Sequence, residues 1–276
     1  MTVGIIGLGL IGGSMAKSIK LHTDHTVLGM DIAEAEMLKA ELVGAIDGRL
    51  GTDRIGECDM VIVALYPQAI IEYVKINADK FKPGALVIDC GGVKVEVCDA
   101  LASICAGQSW TFIGGHPMAG REYSGFKYAQ DDLFERAAMI LTPYPNASID
   151  EIARAKAFFL ETGFLRVVLC SPDEHDEVIA YTSQMAHIIS SAYVKSDLAR
   201  KHKGFSAGSF QDMTRVARLN EAMWCELFSE NRESLVKELD GMIARLGEYR
   251  DALDGGDWAG LTALLREGRE AKEVLG

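Results

Sequence analysis

The sequence predicts an α/β fold for residues 1–170, followed by an all-helical domain over residues 171–276. Short, continuous apolar runs alternate with helical segments in the first part, which is typical of a mainly parallel sheet covered by helices on both faces. After Ser171 and Pro172 only helical periodicity is left. We therefore place a domain boundary near residue 170.

Seven apolar runs are the predicted strands. The first, Val3–Ile6, leads into a glycine-rich turn and then into a helix. The second, His25–Met30, ends just before Asp31 and is followed by a helix over residues 34–43. The remaining strands are expected at Met60–Leu65, Ala85–Asp89, Trp110–Ile113, Ala138–Leu141 and Leu165–Leu169.

The C-terminal part predicts a long helix from about Pro172 to Leu198, because proline and acidic residues such as Asp173 and Asp176 favour the first turns of a helix. Further helices are expected over residues 212–219, 221–246 and 258–274. A thin helical shell with this much apolar surface often packs against a second copy of itself. We therefore expect a homodimer formed through the helical domain.

Composition limits the possible partners. The chain has 276 residues and a formal net charge of −12, which argues against nucleic acid or an anionic membrane as a partner. Apolar runs are shorter than the ~20 residues that a membrane helix needs. The six cysteines are scattered without a C-x-x-C pair, so we expect a reducing cytoplasm and no metal site.

The glycine-rich turn has the spacing of a dinucleotide-binding fingerprint, Gly7-Leu8-Gly9-Leu10-Ile11-Gly12, and it lies between a strand and a helix. This context predicts a Rossmann-type domain in which the turn, with Gly7, Gly9, Leu10, Ile11 and Gly12, receives a pyrophosphate. Asp31, at the end of the second strand, is placed to bind the adenosine ribose. Because its carboxylate would repel a 2′-phosphate, NAD is favoured over NADP.

A second motif, residues 115–125, joins a titratable group to charged ones. His116 follows a predicted strand, and Arg121 and Glu122 come soon after it. An imidazole near a nicotinamide suggests proton removal coupled to hydride transfer. A guanidinium nearby suggests an anionic substrate.

With these motifs the chain resembles the prephenate and arogenate dehydrogenases of tyrosine biosynthesis over nearly its whole length. The resemblance rests on the glycine turn, on Gly115-His116-Pro117-Met118-Ala119-Gly120 with Glu122, Ser124 and Gly125, on Leu141-Thr142-Pro143, and on Phe210-x-Asp212-x-Thr214-Arg215 with Trp224. It implies NAD-dependent oxidative decarboxylation of prephenate to 4-hydroxyphenylpyruvate. Arogenate is the alternative substrate, because the sequence does not separate a keto from an amino side chain.

The resemblance also implies roles for individual residues. His116 matches the general base, Arg215 matches the arginine that binds a substrate carboxylate, and Glu122 matches a position that helps close the site. Asp212 lies three residues before Arg215 and either orients it or forms an ordinary ion pair. Arg121 is a second anion contact or an exposed side chain. Trp224 either forms a wall of the site or packs in the helical core.

Two positions depart from the family pattern. His187 matches the second histidine of a Ser-His-Leu-Pro-His motif, but its first histidine is Gln184 here, so both are expected to face one substrate cleft and Gln184 cannot titrate. Gly92 stands beside the cofactor where many members have a serine that contacts the catalytic histidine. Lys94, two residues later, is expected to hold this loop or to cap a helix.

Two rival functions remain open at this point. A β-hydroxy acid dehydrogenase of similar architecture would use Lys94 as the catalytic group and would not require His116. A regulatory NAD-binding protein without turnover would explain the departures at Gly92 and Gln184 as lost catalytic positions.

Overall fold

The computed structural model describes residues 1–121, 123–144 and 147–275. Its eight-stranded sheet has the order β3-β2-β1-β4-β5-β6-β7-β8. The strands are β1 Thr2–Ile6, β2 Thr26–Met30, β3 Gly48–Arg49, β4 Met60–Val63, β5 Leu86–Asp89, β6 Thr111–Pro117, β7 Ala138–Pro143 and β8 Arg166–Leu169. The first six follow the strand order of a Rossmann sheet, and the predicted fold class is confirmed.

Helices cover both faces of this sheet. They are α1 Leu10–His22, α2 Glu34–Leu42, α3 Pro67–Asn77, α4 Val95–Cys105 and α5 Ile149–Glu161. Because successive side chains of a strand point to opposite faces, Met60 and Ile62 of β4 pack in the cluster that includes α1 and α5. Val61 and Val63 pack in the cluster that includes α3 and α4. Burial on both faces explains why these strands are continuous apolar runs.

The sheet differs from the sequence-based prediction at two strands. The two-residue strand β3 was not predicted, because two residues are too few to show the alternation of apolar and polar side chains by which a strand is recognised. Strand β6 was predicted to end at Ile113, but it continues to Pro117 because residues 113–117 pair antiparallel with β7. His116, expected just after the strand, therefore lies within it, opposite Ile140.

The C-terminal region is helical. Its helices are α6 Pro172–Ile179, α7 Met185–Tyr193, α8 Gly208–Thr214, α9 Glu221–Glu230, α10 Arg232–Asp254 and α11 Trp258–Leu275. The single helix predicted from Pro172 to Leu198 is wrong in detail: a π-helical turn, Ala180–Gln184, separates α6 from α7, and α7 ends at Tyr193. Turns of this kind are frequent at functional sites.

The helical region has its own, smaller core. Ala180, Met185 and Leu235 are buried together, with partly buried neighbours that include Phe228 and Leu239. Large apolar side chains stay exposed on α10 and α11, among them Ile243, Leu246, Trp258 and Leu265. In the part of the chain that the structure describes, no helix is both long and apolar enough to span a bilayer.

Candidate active site

The glycine turn is shaped by two close backbone approaches. Gly7 adopts a φ of +85°, and a Cβ built on it would lie 2.5 Å from the carbonyl oxygen of Ala64, at the end of β4. A Cβ on Gly12 would overlap the carbonyl oxygen of Gly7. Gly9 is different, because a Cβ there would meet only open space among the described residues. The turn therefore needs glycine at 7 and 12, and at Gly9 it leaves room for a ligand.

The same turn leads directly into α1, whose first residues are Leu10 and Ile11. Among the described side chains none caps this helix end, and its first turn holds no acidic residue. Exposed N–H groups at a helix N-terminus attract an anion. The geometry therefore fits a pyrophosphate.

Asp31 holds the neighbouring end of β2 in place. Its Oδ2 accepts a hydrogen bond from Leu8 N at 2.7 Å, and its Oδ1 accepts one from Ala33 N at 2.8 Å. The carboxylate is thus fixed beside the glycine turn, where a ribose would lie. Arg49 lies on β3, the strand paired with β2, and its guanidinium is bound by Glu34 and Glu41. Those ion pairs disfavour its use as a phosphate ligand.

His116 lies at the same edge of the sheet as the glycine turn. Strand β6 runs parallel to β5, and β5, β4 and β1 are parallel to one another, so their carboxyl ends share one edge. His116 is three residues beyond Ile113, where the pairing of β6 with β5 stops. Three strand spacings of ~4.8 Å separate β6 from β1. In Rossmann folds the dinucleotide crevice lies along this edge of the sheet.

His116 belongs to a chain of hydrogen-bonded titratable groups. Its Nδ1 lies 2.8 Å from Nε2 of His175, and Nδ1 of His175 lies 2.6 Å from Oδ1 of Asp176. His175 and Asp176 are both 2% exposed. They are the fourth and fifth residues of α6, so the C-terminal helical region supplies the partner of the imidazole on β6.

The surroundings of His116 favour its neutral form. Burial, then His175, then the Lys94 ammonium hold the pKa of His116 well below its ordinary value. At neutral pH the ring is therefore uncharged and one of its nitrogens carries a lone pair. The pKa of His116 therefore lies below the value of about 6.5 that an unperturbed imidazole has.

Lys94 is not free to act as a catalytic group. It is 0% exposed, and its ammonium is paired with the equally buried carboxylate of Asp89. Asp89 also accepts hydrogen bonds from Gly91 N at 2.7 Å and from Gly115 N at 2.9 Å. The pair therefore ties the loop after β5 to the strand position next to His116.

Asp176 also caps a helix of the other domain. Helix α4 begins after Lys94, which does not cap it with its own side chain. Asp176 accepts hydrogen bonds from Lys94 N at 2.8 Å and from Val95 N at 2.9 Å. A carboxylate at a helix N-terminus is worth about 0.5–2 kcal/mol. The sequence-based assignment of Asp176 to the start of its own helix misses this role.

Gln184 and Asn231 extend the network into the helical region. Asn231 Nδ2 donates to the carbonyl oxygen of Asp176 at 2.8 Å and to Gln184 Oε1 at 2.9 Å. Gln184 Nε2 donates to the carbonyl oxygen of Leu227 at 3.2 Å. Gln184 is 1% exposed, and these bonds join α9 to the π-helical turn. Its predicted contact with substrate stays a prediction.

The two departures from the family pattern both lie next to Leu227. A Cβ built on Gly92 would lie 3.1 Å from Cδ2 of Leu227, and the Leu227 carbonyl accepts from Gln184. A serine at 92 would thus make a tight contact with the end of the Leu227 side chain, which would have to shift by a few tenths of an ångström. Glycine at 92 leaves room for Leu227 of α9, and Gln184 binds the backbone of the same residue. Both departures therefore fit the observed position of α9.

His187, Trp224 and the Arg215 segment form a second group. The ring centroids of His187 and Trp224 are 3.9 Å apart, and His187 Nδ1 lies 2.9 Å from the carbonyl oxygen of Val216, the residue after Arg215. Arg215 begins a 3₁₀ turn, Arg215–Ala217, at the end of α8, and it is exposed, as is Asp212. The predicted single helix over residues 212–219 is therefore interrupted.

The other two predicted residues, Arg121 and Glu122, follow β6 in the sequence. Arg121 is exposed, and its Nη1 donates to Gln130 Oε1 at 2.7 Å. Gln130 N in turn donates to Ser14 Oγ on α1 at 2.9 Å, so Arg121 lies on the side of the glycine turn. Glu122 lies outside the described residues. Across those described residues, no cluster of three or more His, Cys, Asp or Glu side chains has the arrangement of a metal site.

Comparison with known proteins identifies the family. A model described as the nucleotide-binding domain of prephenate dehydrogenase matches residues 15–169, and one described as its dimerization domain matches residues 171–267. The chain belongs to the prephenate dehydrogenase family. The resemblance on which the sequence analysis relied is confirmed.

Individual relatives of the family match the chain over almost its full length. The prephenate dehydrogenase of Bacillus subtilis is 30% identical over 99% of this chain and 76% of its own. The cyclohexadienyl dehydrogenase of Zymomonas mobilis is 31% identical over 99% and 95%. The crystal structure of an A. aeolicus prephenate dehydrogenase with hydroxyphenyl propionate and NAD+ has a TM-score of 0.88 and 28% identity, covering 100% of this chain and 98% of that one.

Sequence reasoning missed His175, Asp176 and Asn231. Two consecutive helical residues point about 100° apart, so His175 and Asp176 do not suggest a pair that works together. A possible signal is the occurrence of an imidazole beside a carboxylate just after the domain boundary, at the start of a helix. Which strand this helix faces depends on tertiary packing, and the sequence does not give it.

Proposed function

We propose that this chain catalyses the NAD-dependent oxidative decarboxylation of prephenate to 4-hydroxyphenylpyruvate. The observation that carries the proposal is the position of His116: a neutral imidazole at the carboxyl edge of a Rossmann sheet, on the same edge as a glycine turn open to a ligand. The family assignment and the relatives named prephenate dehydrogenase support the same activity.

NAD is held by residues of the nucleotide-binding domain. Gly7, Gly9 and the start of α1, Leu10 to Gly12, would receive the pyrophosphate, and Asp31 would bind the adenosine ribose. Gly92 lies on the loop after β5, on the nicotinamide side of the crevice. When bound, NAD supplies the hydride acceptor.

His116 takes the proton of the substrate hydroxyl. Its Nδ1 is engaged with His175, so Nε2 is the nitrogen left to face the substrate. As the C4 hydroxyl gives its proton to Nε2 and C4 loses hydride, the C4–O bond becomes a carbonyl. The ring carboxylate then leaves as carbon dioxide, and the electrons of the broken C–C bond make the ring aromatic. The proton returns to the C4 oxygen, which becomes the phenol. A positioned general base contributes roughly 10²–10⁴-fold.

The substrate carboxylates need partners from the helical domain. Arg215 is the candidate for a bidentate grip on one carboxylate, with Asp212 orienting it. His187 and Trp224 form the wall beside this segment, since their rings touch and His187 is bonded next to Arg215. Glu122 and Arg121, which follow β6 in the sequence, complete the site, and Gln184 orders α9 behind it.

The division of labour follows the two regions of the chain. Residues 1–170 bind the cofactor, and residues 171–276 bind the substrate and form a homodimer. Exposed apolar side chains on α10 and α11, such as Ile243 and Trp258, support a dimer of this chain. Its mass by light scattering at micromolar concentration tests this, and a monomer would contradict it. We place the enzyme in the cytoplasm, in keeping with six free thiols.

Absorbance at 340 nm tests the proposed activity. Purified protein mixed with NAD and prephenate should produce NADH together with a hydroxyphenyl acid and carbon dioxide. Parallel assays with arogenate decide the substrate, and prephenate should give the higher kcat/KM. Binding of NAD without any rise at 340 nm with either substrate would identify a regulatory protein instead.

A further inference from the structure

We infer that His175 and Asp176 fix the tautomer of His116, so that the helical domain presents an unprotonated Nε2 of the catalytic imidazole to the substrate. The catalytic part of this inference rests on the proposed function. The hydrogen-bonded series from His116 through His175 to Asp176 does not depend on that function.

The direction of each hydrogen bond follows from what each group can donate. Asp176, as a carboxylate, only accepts, so the 2.6 Å contact is a donation from Nδ1–H of His175. With His175 as a neutral imidazole, which has a single N–H, its Nε2 is an acceptor. The 2.8 Å contact is then a donation from Nδ1–H of His116. The remaining nitrogen of His116, Nε2, must carry the lone pair.

The Asp176 carboxylate is held in place, so it stays the acceptor of the His175 Nδ1–H bond. Its Oδ1 and Oδ2 accept from Lys94 N and Val95 N at the start of α4, and its backbone carbonyl accepts from Asn231. Turning the carboxylate away would uncap α4, and the bond from Asn231 to the backbone carbonyl holds this part of α6 in place. The orientation of His175 is therefore set by the junction of α6 with α4, and it passes to His116 on β6.

The hydrogen-bonded series His116–His175–Asp176 can also stabilise the positive charge that forms when His116 takes up the substrate proton. When His116 accepts the substrate proton at Nε2, its Nδ1–H still faces the lone pair of His175. The Nδ1 proton can move to Nε2 of His175, whose own Nδ1–H remains against the Asp176 carboxylate. No proton is gained or lost in this transfer, and the positive charge moves toward the buried anion. His175 and Asp176 are thus positioning residues for His116.

Nitrogen NMR of the imidazole rings tests the inference without reference to activity. Full-length protein labelled with ¹⁵N on its six histidines and saturated with NAD would be examined at about pH 8. Signals that disappear in His116→Asn and in His175→Phe assign the two rings. We expect both rings to carry their proton on Nδ1. In His175→Phe, His116 should lose this fixed state and show protonation at Nε2.

Kinetics with prephenate provides the second measurement. His175→Phe should lower kcat by about 10²-fold, the low end for loss of a general base, and should change KM by less than about threefold because no substrate contact is removed. Ile179→Val is the matched control. It shortens a buried side chain of the same helix, α6, and removes none of the hydrogen bonds between His116, His175 and Asp176. It should lower the melting temperature while keeping kcat and the His116 tautomer.

Each alternative outcome overturns the inference. A His116 ring protonated on Nε2 in the unmodified enzyme, or a His175 ring protonated on both nitrogens, would contradict the assigned tautomers. So would a kcat loss in His175→Phe that only follows the loss of melting temperature, as in Ile179→Val. If the unmodified enzyme makes no NADH, the proposed function fails, and the spectrum alone decides whether the tautomer is fixed.

Discussion

The buried pair of Lys94 and Asp89 makes a quantitative prediction about stability. Both side chains are 0% exposed, so Lys94→Met leaves a buried carboxylate without its counter-charge. Losing one partner of a buried ion pair costs about 3–5 kcal/mol. Asp89 keeps hydrogen bonds from Gly91 N and Gly115 N, each of which offsets part of the loss. We therefore expect a loss of about 3 kcal/mol in the free energy of unfolding.

Urea unfolding followed by circular dichroism measures this loss. The matched control is Lys20→Met, which breaks an exposed pair with Asp47 whose side chains are 31% and 38% exposed and should cost about 0–1 kcal/mol. Asp89→Asn combined with Lys94→Met should be less damaging than the sum of the two changes, by at least about 1 kcal/mol. A Lys94→Met protein as stable as the Lys20→Met control would refute this account of the pair. Loss of turnover in fully folded Lys94→Met, with His116→Ala active, would instead favour the rival in which Lys94 is catalytic.

Three further substitutions test the rest of the site. Arg215→Ala should raise KM for prephenate by roughly 10- to 150-fold, the value of a charged hydrogen bond of 1.5–3 kcal/mol, and an unchanged KM would argue against the carboxylate grip. Asp31→Ala should lower the preference for NAD over NADP by about tenfold or more, because a like-charge repulsion of a few kcal/mol is removed; equal discrimination in steady-state kinetics would contradict this role. Gly92→Ser should destabilise by about 1–3 kcal/mol through overpacking against Leu227, and Leu227→Ala should relieve part of that loss in thermal melts; strictly additive losses would show that the two residues do not meet.

The sheet could be predicted because each central strand is buried on both faces and so reads as an unbroken apolar run. Met60–Val63 and Leu86–Asp89 show this directly. The end of β6 could not be predicted in the same way. Gly114, Gly115 and His116 have little intrinsic preference for a strand, and they extend β6 only because β7 pairs with them.

The site was predictable where its residues follow a fixed spacing along the chain. The glycine turn and Asp31 come from one strand–helix–strand unit, so the sequence places them near one another. His116 and His175 are 59 positions apart, and their contact exists because α6 packs against α4. The helical domain contributes through tertiary contacts, and so its partners for His116 could not be found from the sequence.

Turnover by His116→Asn tests the central claim most directly. Asparagine keeps a polar side chain but cannot take up the substrate proton, so kcat for NADH formation from prephenate should fall by roughly 10²–10⁴-fold. Binding of NAD, measured by titration calorimetry, should stay unchanged, because the glycine turn and Asp31 are untouched. A variant that binds NAD normally and turns over at the unmodified rate would contradict the assignment of His116 as the general base.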